Sequence, residues 1–193
     1  MIRTKTLLVS ATAIVAALTL VGCADTAGNT SSSDSSASSE SAVFNDQDVM
    51  FAQMMLPHHE QAVEMSDTFI AKGDSVDSDV LALAETIKDE QGPEIEQLTT
   101  WLDDWGQDTS ASMDHSMDGM MSESDMTALE DAEGAEASRL FLEQMTEHHK
   151  GAVDMAQQEV DGGENPDAVE MAKNIVESQT AQIDQMESLL SSL

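Results

Sequence analysis

The chain has 193 residues, with 38 Asp and Glu against 7 Lys and Arg, a formal charge of −31. Such an acidic surface excludes nucleic acid as a natural partner and disfavours charge-driven adhesion to an anionic lipid surface. It also raises the local concentration of cations. One cysteine rules out an internal disulfide, and the prevalence of Ala, Leu, Met, Glu and Gln over β-branched runs predicts helices.

Arg3 and Lys5 precede an apolar run from Leu7 to Leu20, too short and too early for a convincing spanning helix. The run ends in Leu20-Val21-Gly22-Cys23, which resembles a bacterial lipobox. The expectation is a signal peptide over 1–22 and a lipid on the thiol of Cys23. That would anchor the protein to the outer face of the bacterial cell membrane. Residues 23–43 are rich in Ser, Ala, Asp and Thr, have nothing to bury, and read as a flexible tether. The remainder, 44–193, is the size of one domain.

Its first element carries Phe51, Met55, His58, Ala62, Met65 and Phe69 at alternating spacings of four and three, one line of a helix. His59, Val63, Ser66 and Ile70 flank that line, and Glu60, Glu64 and Asp67 lie opposite. The spacing therefore points His58 into the core, with His59 near its edge. Pro57 is predicted to kink this helix just before His58. A turn follows around Lys72-Gly73-Asp74-Ser75. The second helix carries Leu83, Ile87, Ile95, Leu98, Trp101 and Leu102 on its stripe, with one polar member, Gln91, and Gly92-Pro93 is predicted to interrupt it.

A linker at about 106–124 contains Met113, His115, Met117, Met120 and Met121 in a polar stretch without apolar period. Its economical explanation is a Met/His metal-capture loop, since soft thioethers select Cu(I) and imidazole also accepts Cu(II). The third helix then repeats the first: Phe141, Met145, His148, Ala152 and Met155 form the line, and His149 sits at the edge. The turn from Asp161 to Pro166 leads to a fourth helix that repeats the second, with Gln179 in the place of Gln91. The first pair of helices maps on the other with an offset of 90 positions (His58 to His148), the second pair with 88 (Gln91 to Gln179). Two duplicated helical hairpins predict an all-α four-helix bundle.

Methionine on a helix stripe also serves as core filler. Adjacent histidines flanked by Met in both halves favour metal binding over that account. Gln91 and Gln179, as lone polar groups on apolar stripes, either orient the imidazoles from behind or reach solvent from the edge of the stripe.

The pattern Met55-x-x-His58-His59-x-x-Ala62-Val63-x-Met65, the stripe from Ile87 through Gln91 to Trp101 and Trp105-Gly106, the Met/His linker and His148-His149-x-Gly151-Ala152-Val153-x-Met155 together resemble the domain-of-unknown-function 305 family. The resemblance spans about 44–193. It implies a ferritin-like bundle in exported bacterial proteins, some of which bind copper and contribute to copper tolerance. The ligands it implies are Met55, His58, His59, Met65, Met145, His148, His149 and Met155. Glu147 in place of Pro57, and Lys150 beside His149, are departures that make the two copies unequal.

The expected function is a non-enzymatic, lipid-anchored copper-binding protein for sequestration or tolerance, with a metal ion as partner. A helical interaction module with structural histidines is the alternative. A diiron enzyme is disfavoured, because none of the histidines has Glu three residues before it, as that site requires.

Overall fold

The computed structural model describes residues 43–109 and 119–193. The expected signal peptide, Cys23, nearly all of the tether, and Met113, His115 and Met117 lie outside the described residues. Five α-helices follow in order: α1 (Asp46–Ile70), α2 (Ser78–Asp104), α3 (Glu123–Asp131), α4 (Gly134–Gly162) and α5 (Pro166–Leu190), with a 3-10 turn at Gly73–Ser75 between the first two.

Local chemistry sets the helix ends. Asn45 and Asp48 form a capping box at the start of α1, Asp77 caps α2, and Asn165 caps α5 ahead of Pro166. Each satisfies backbone N–H groups that the first turn cannot. Both interior prolines are carried without interruption, because α1 runs through Pro57 and α2 through Pro93. The expected break at Gly92-Pro93 is thus absent. A proline removes a single helical hydrogen bond, and the buried residues on either side keep the helix in register.

The long helices pack as two hairpins, α1 on α2 and α4 on α5, and the hairpins meet along α1 and α4. Four-helix bundle architecture is therefore observed. Helix α3 is an addition within the expected linker and its C-terminal flank: nine residues with a Ser122–Asp125 capping box, resting on α1 and α4 through Leu129. A helix of that length is marginal alone. Gln144 donates to the Asp125 carbonyl, and Lys72 donates to the carbonyls of Glu130 and Ala132, which ties α3 to the bundle.

The core is in two parts. One end holds Phe51, Met55, Leu98, Trp101, Leu102, Trp105, Met155 and Ile175; the other holds Met65, Phe69, Leu83, Ile87, Phe141, Leu142, Met145 and Met186. Phe44, Trp105 and Trp101 stack at the first end, Phe69 and Phe141 at the second. Helix α1 runs from the first end to the second and α4 runs back, so the two are antiparallel. Between the ends each long helix contributes polar side chains.

Candidate metal centre

That middle layer consists of His58 and His59 from α1, Gln91 from α2, His148 and His149 from α4, and Gln179 and Gln182 from α5, all buried. An apolar core tolerates such a layer only when its polar atoms find partners or a ligand. The imidazoles of His58 and His148 meet across the α1–α4 seam, centroids 3.7 Å apart and planes tilted by 41°. His149 is 6.4 Å from His148 by ring centroid. The two cassettes therefore meet in one layer rather than forming two remote clusters.

The expected edge position of His59 and His149 is corrected: both are fully buried, like the core-facing pair. Side chains from the neighbouring hairpin arms close over them. His59 Nε2 lies 2.8 Å from Glu94 Oε2, and His149 Nε2 lies 2.7 Å from Gln182 Oε1. Gln182 in turn donates from Nε2 to Glu90 at 2.8 Å, joining α5 to α2. The supporting contacts to the edge histidines thus come from Glu94 and Gln182, not from Gln91 and Gln179. Those two amides are buried with Oε1 unpartnered among the described residues. A sequence signal for the actual pair existed: Glu94 and Gln182 are repeat counterparts at the 88-residue offset, three positions beyond Gln91 and Gln179.

The cassette methionines are also buried, and the antiparallel arrangement distributes them evenly. Met55 and Met155 lie on one side of the histidine layer, Met65 and Met145 on the other. The linker methionines behave differently. Met121 is fixed through its backbone, its N–H donating to Gln61 Oε1 at 2.7 Å and its carbonyl accepting from Gln61 Nε2 at 2.9 Å. Its side chain packs on the Met65–Met145 end of the core. Met120 is partly buried beside it. Gly119, at φ +87°, approaches the α4 backbone so closely that a Cβ would lie 2.9 Å from the Glu147 carbonyl oxygen and 3.1 Å from that of His148. The linker is therefore docked against the helix turn that carries His148 and His149.

Burial keeps the imidazoles of His148 and His149 neutral. Burial, then the neighbouring His58, His149 and His59, hold His148 well below the ordinary histidine value. Burial lowers His149 to about 4, with the Gln182 bond opposing and His59 adding to the shift. Neutral imidazole and thioether are donors that bind a metal without first losing a proton. Nδ1 of His59 and of His149 are buried with no hydrogen-bond partner among the described residues. Among those residues no group of three or more His, Cys, Asp or Glu converges on a point. Methionines flank the layer on both sides, so imidazole and thioether are the donors it offers. That donor set suits a soft or borderline ion. Beside the layer, a groove of about 460 Å³ runs between α2 and α5, lined in part by Pro93, Glu94, Trp101, Glu170 and Met171.

Fold and site together define an all-helical bundle with a duplicated Met/His layer at its waist. The chain belongs to the domain of unknown function (DUF305) family, whose model matches residues 48–190. It is similar to the crystal structure of a DUF305 protein from Streptomyces coelicolor, at 34% identity over 76% of this chain and 93% of that one, with a TM-score of 0.71. A DUF305 fragment from Deinococcus radiodurans is 32% identical over 77% of this chain and 98% of its own, with a TM-score of 0.70. CopM, solved in Cu(I)-bound and Cu(II)-bound forms, is 29% identical over 75% of this chain and 96% of its own, with a TM-score of 0.64. Among curated protein sequences none matches this chain.

Proposed function

We propose that this protein binds copper in the histidine layer and holds it outside the cytoplasmic membrane, for sequestration or tolerance, without catalysing a reaction on it. The observation that carries the reading is the meeting of the two cassettes: four buried histidines in one layer, with a methionine from each cassette on either side. Similarity to CopM, which was solved with Cu(I), Cu(II) and silver, supports the choice of metal. The lipobox-like Leu20–Cys23 supports export and a lipid anchor at Cys23, and the Streptomyces coelicolor relative is described as secreted.

Met55, His58, His59, Met65, Met145, His148, His149 and Met155 supply the donor atoms from which the ion is held. Met113, His115, Met117, Met120 and Met121 take up the ion first, and the docking of Gly119–Met121 sets the end of that segment beside α4. Bound copper would be held by neutral donors, so Cu(I) retention through thioether persists into mildly acidic conditions.

Native mass spectrometry of the protein with Cu(I), Cu(II), zinc and Fe(II) tests this reading. Replacing His58 and His59 together by Gln, or His148 and His149 together, is expected to remove most of the bound copper in either case, because the layer is shared. Equal, independent halves that each retain their own ion after loss of the other would contradict the shared layer. Preference for Fe(II) or zinc over copper would contradict the choice of metal.

A further inference from the structure

The two halves of the layer are built alike in geometry and unlike in the group that meets the ring, a carboxylate at His59 and an amide at His149. His59 and His149 are repeat counterparts, and each bonds through Nε2 to the counterpart residue on its own hairpin, Glu94 or Gln182. A carboxylate can only accept, so the hydrogen of His59 sits on Nε2 and points to Glu94. Gln182 reaches the same conclusion by another route. Its Nε2 donates to Glu90, which fixes the amide so that its carbonyl oxygen faces His149. That oxygen accepts, and the hydrogen of His149 is again on Nε2. Each ring then has its lone pair on Nδ1, and both Nδ1 atoms are buried without a hydrogen-bond partner among the described residues.

We propose that Nδ1 is the donor atom of both edge histidines, and that Glu94 and Gln182 are positioning residues that make these donors unequal toward the two oxidation states of copper. The inference rests on the copper reading of the layer. An anionic acceptor behind His59 draws its N–H outward and enriches the ring in electron density, which strengthens Nδ1 as a donor to the harder, more highly charged Cu(II). The neutral amide behind His149 fixes the ring without that enrichment, leaving a donor better matched to Cu(I) beside thioether sulfur. Glu94 also lines the groove between α2 and α5, and its side chain is 23% exposed. The charged partner is thus reachable from solvent while the ring it orients is not. The asymmetry gives one fold a half suited to each oxidation state.

Two measurements test the proposal. In the metal-free protein, nitrogen NMR of the imidazoles should show the Nε2–H tautomer at His59 and His149; an Nδ1–H tautomer at either overturns it. Cu(II) and Cu(I) affinities are then compared between wild type, Glu94→Gln, Gln182→Glu, and Glu85→Gln, which removes the same charge from an exposed site on α2. Glu94→Gln should weaken Cu(II) binding by roughly 10-fold or more, the usual loss when a supporting partner is changed, with a smaller effect on Cu(I). Gln182→Glu should shift the preference toward Cu(II), and Glu85→Gln should leave it unchanged. If Gln182→Glu does not fold, the comparison of Glu94→Gln with Glu85→Gln decides alone. Wild-type binding with the same Cu(II)-to-Cu(I) ratio in Glu94→Gln overturns the inference and leaves the copper reading standing. Absence of copper binding by the wild type overturns the copper reading itself, and the proposed donor roles fall with it.

Discussion

At the scale of single residues, buried ionisable groups are not confined to the histidine layer. Asp48, fully buried near the start of α1, accepts from the backbone N–H groups of Asn45, Glu164 and Asn165. Burial pushes its carboxyl up, yet the backbone bonds from Asn45, Asn165 and Glu164 prevail and hold it below the ordinary value. Glu159 beside it is raised to about 8, first by burial and then by the neighbouring carboxylate of Asp48. The protonated Glu159 is therefore the form that fits. The unfolded chain releases that proton near the ordinary glutamate value of about 4.3. Stability from this group is full below that pH and drains as pH rises through about 8. Glu159→Gln, which keeps a neutral side chain, should raise the melting temperature by a few degrees at pH 8 and make little difference near pH 4. A gain of the same size at both pH values would contradict this account of the pair.

The helices show what periodicity can and cannot reveal. Alternating spacings of four and three placed Phe51, Met55, His58, Ala62, Met65 and Phe69 on one buried line, and all six are buried. The same geometry left His59 and His149 at the margin, because one helix considered alone does not say how far its neighbour reaches. Glu94 and Gln182 close that margin, and only the packing of α1 on α2 and of α4 on α5 brings them there. Helix α3 escaped notice for a related reason: its single buried residue, Leu129, sets no period. The expected break at Gly92-Pro93 is absent because a lost hydrogen bond is a local cost that surrounding packing can absorb. The cost itself remains, about 3 kcal/mol for a proline in a helix interior. Pro57→Glu, the residue of the second repeat, should therefore stabilise the metal-free fold by roughly 1–3 kcal/mol in chemical denaturation. A lower midpoint would show that α1 is built around the proline. Gly119 makes a second test of an element. A Cβ there has no room against α4, and the backbone at φ +87° favours glycine. Gly119→Ala should speed hydrogen exchange at the Met121 amide while global stability changes by less than about 2 kcal/mol. Unchanged exchange would mean that Gln61 alone holds the segment.

For the whole molecule, the decisive feature is the division of the core into two apolar ends by a polar waist. A continuous apolar stripe on each helix would bury more and leave fewer unpartnered atoms. The sequence instead places His or Gln at the middle of every long helix, twice over. Duplication made the hairpins visible from the amino-acid order. Their antiparallel meeting along α1 and α4, which brings His58 to 3.7 Å from His148, required the packed molecule. The same packing turns two cassettes into one layer with Met55 and Met155 on one side and Met65 and Met145 on the other. Functional constraint explains a waist of this kind better than stability does, because the layer replaces apolar contact at the centre of the bundle. The most direct test is a Cu(I) titration against a competing chelator, comparing wild type with a variant in which His58, His59, His148 and His149 are all Gln. The account predicts that wild type takes Cu(I) from the chelator and that the variant, still helical, loses at least tenfold in affinity. Wild type binding no more tightly than that folded variant would contradict it.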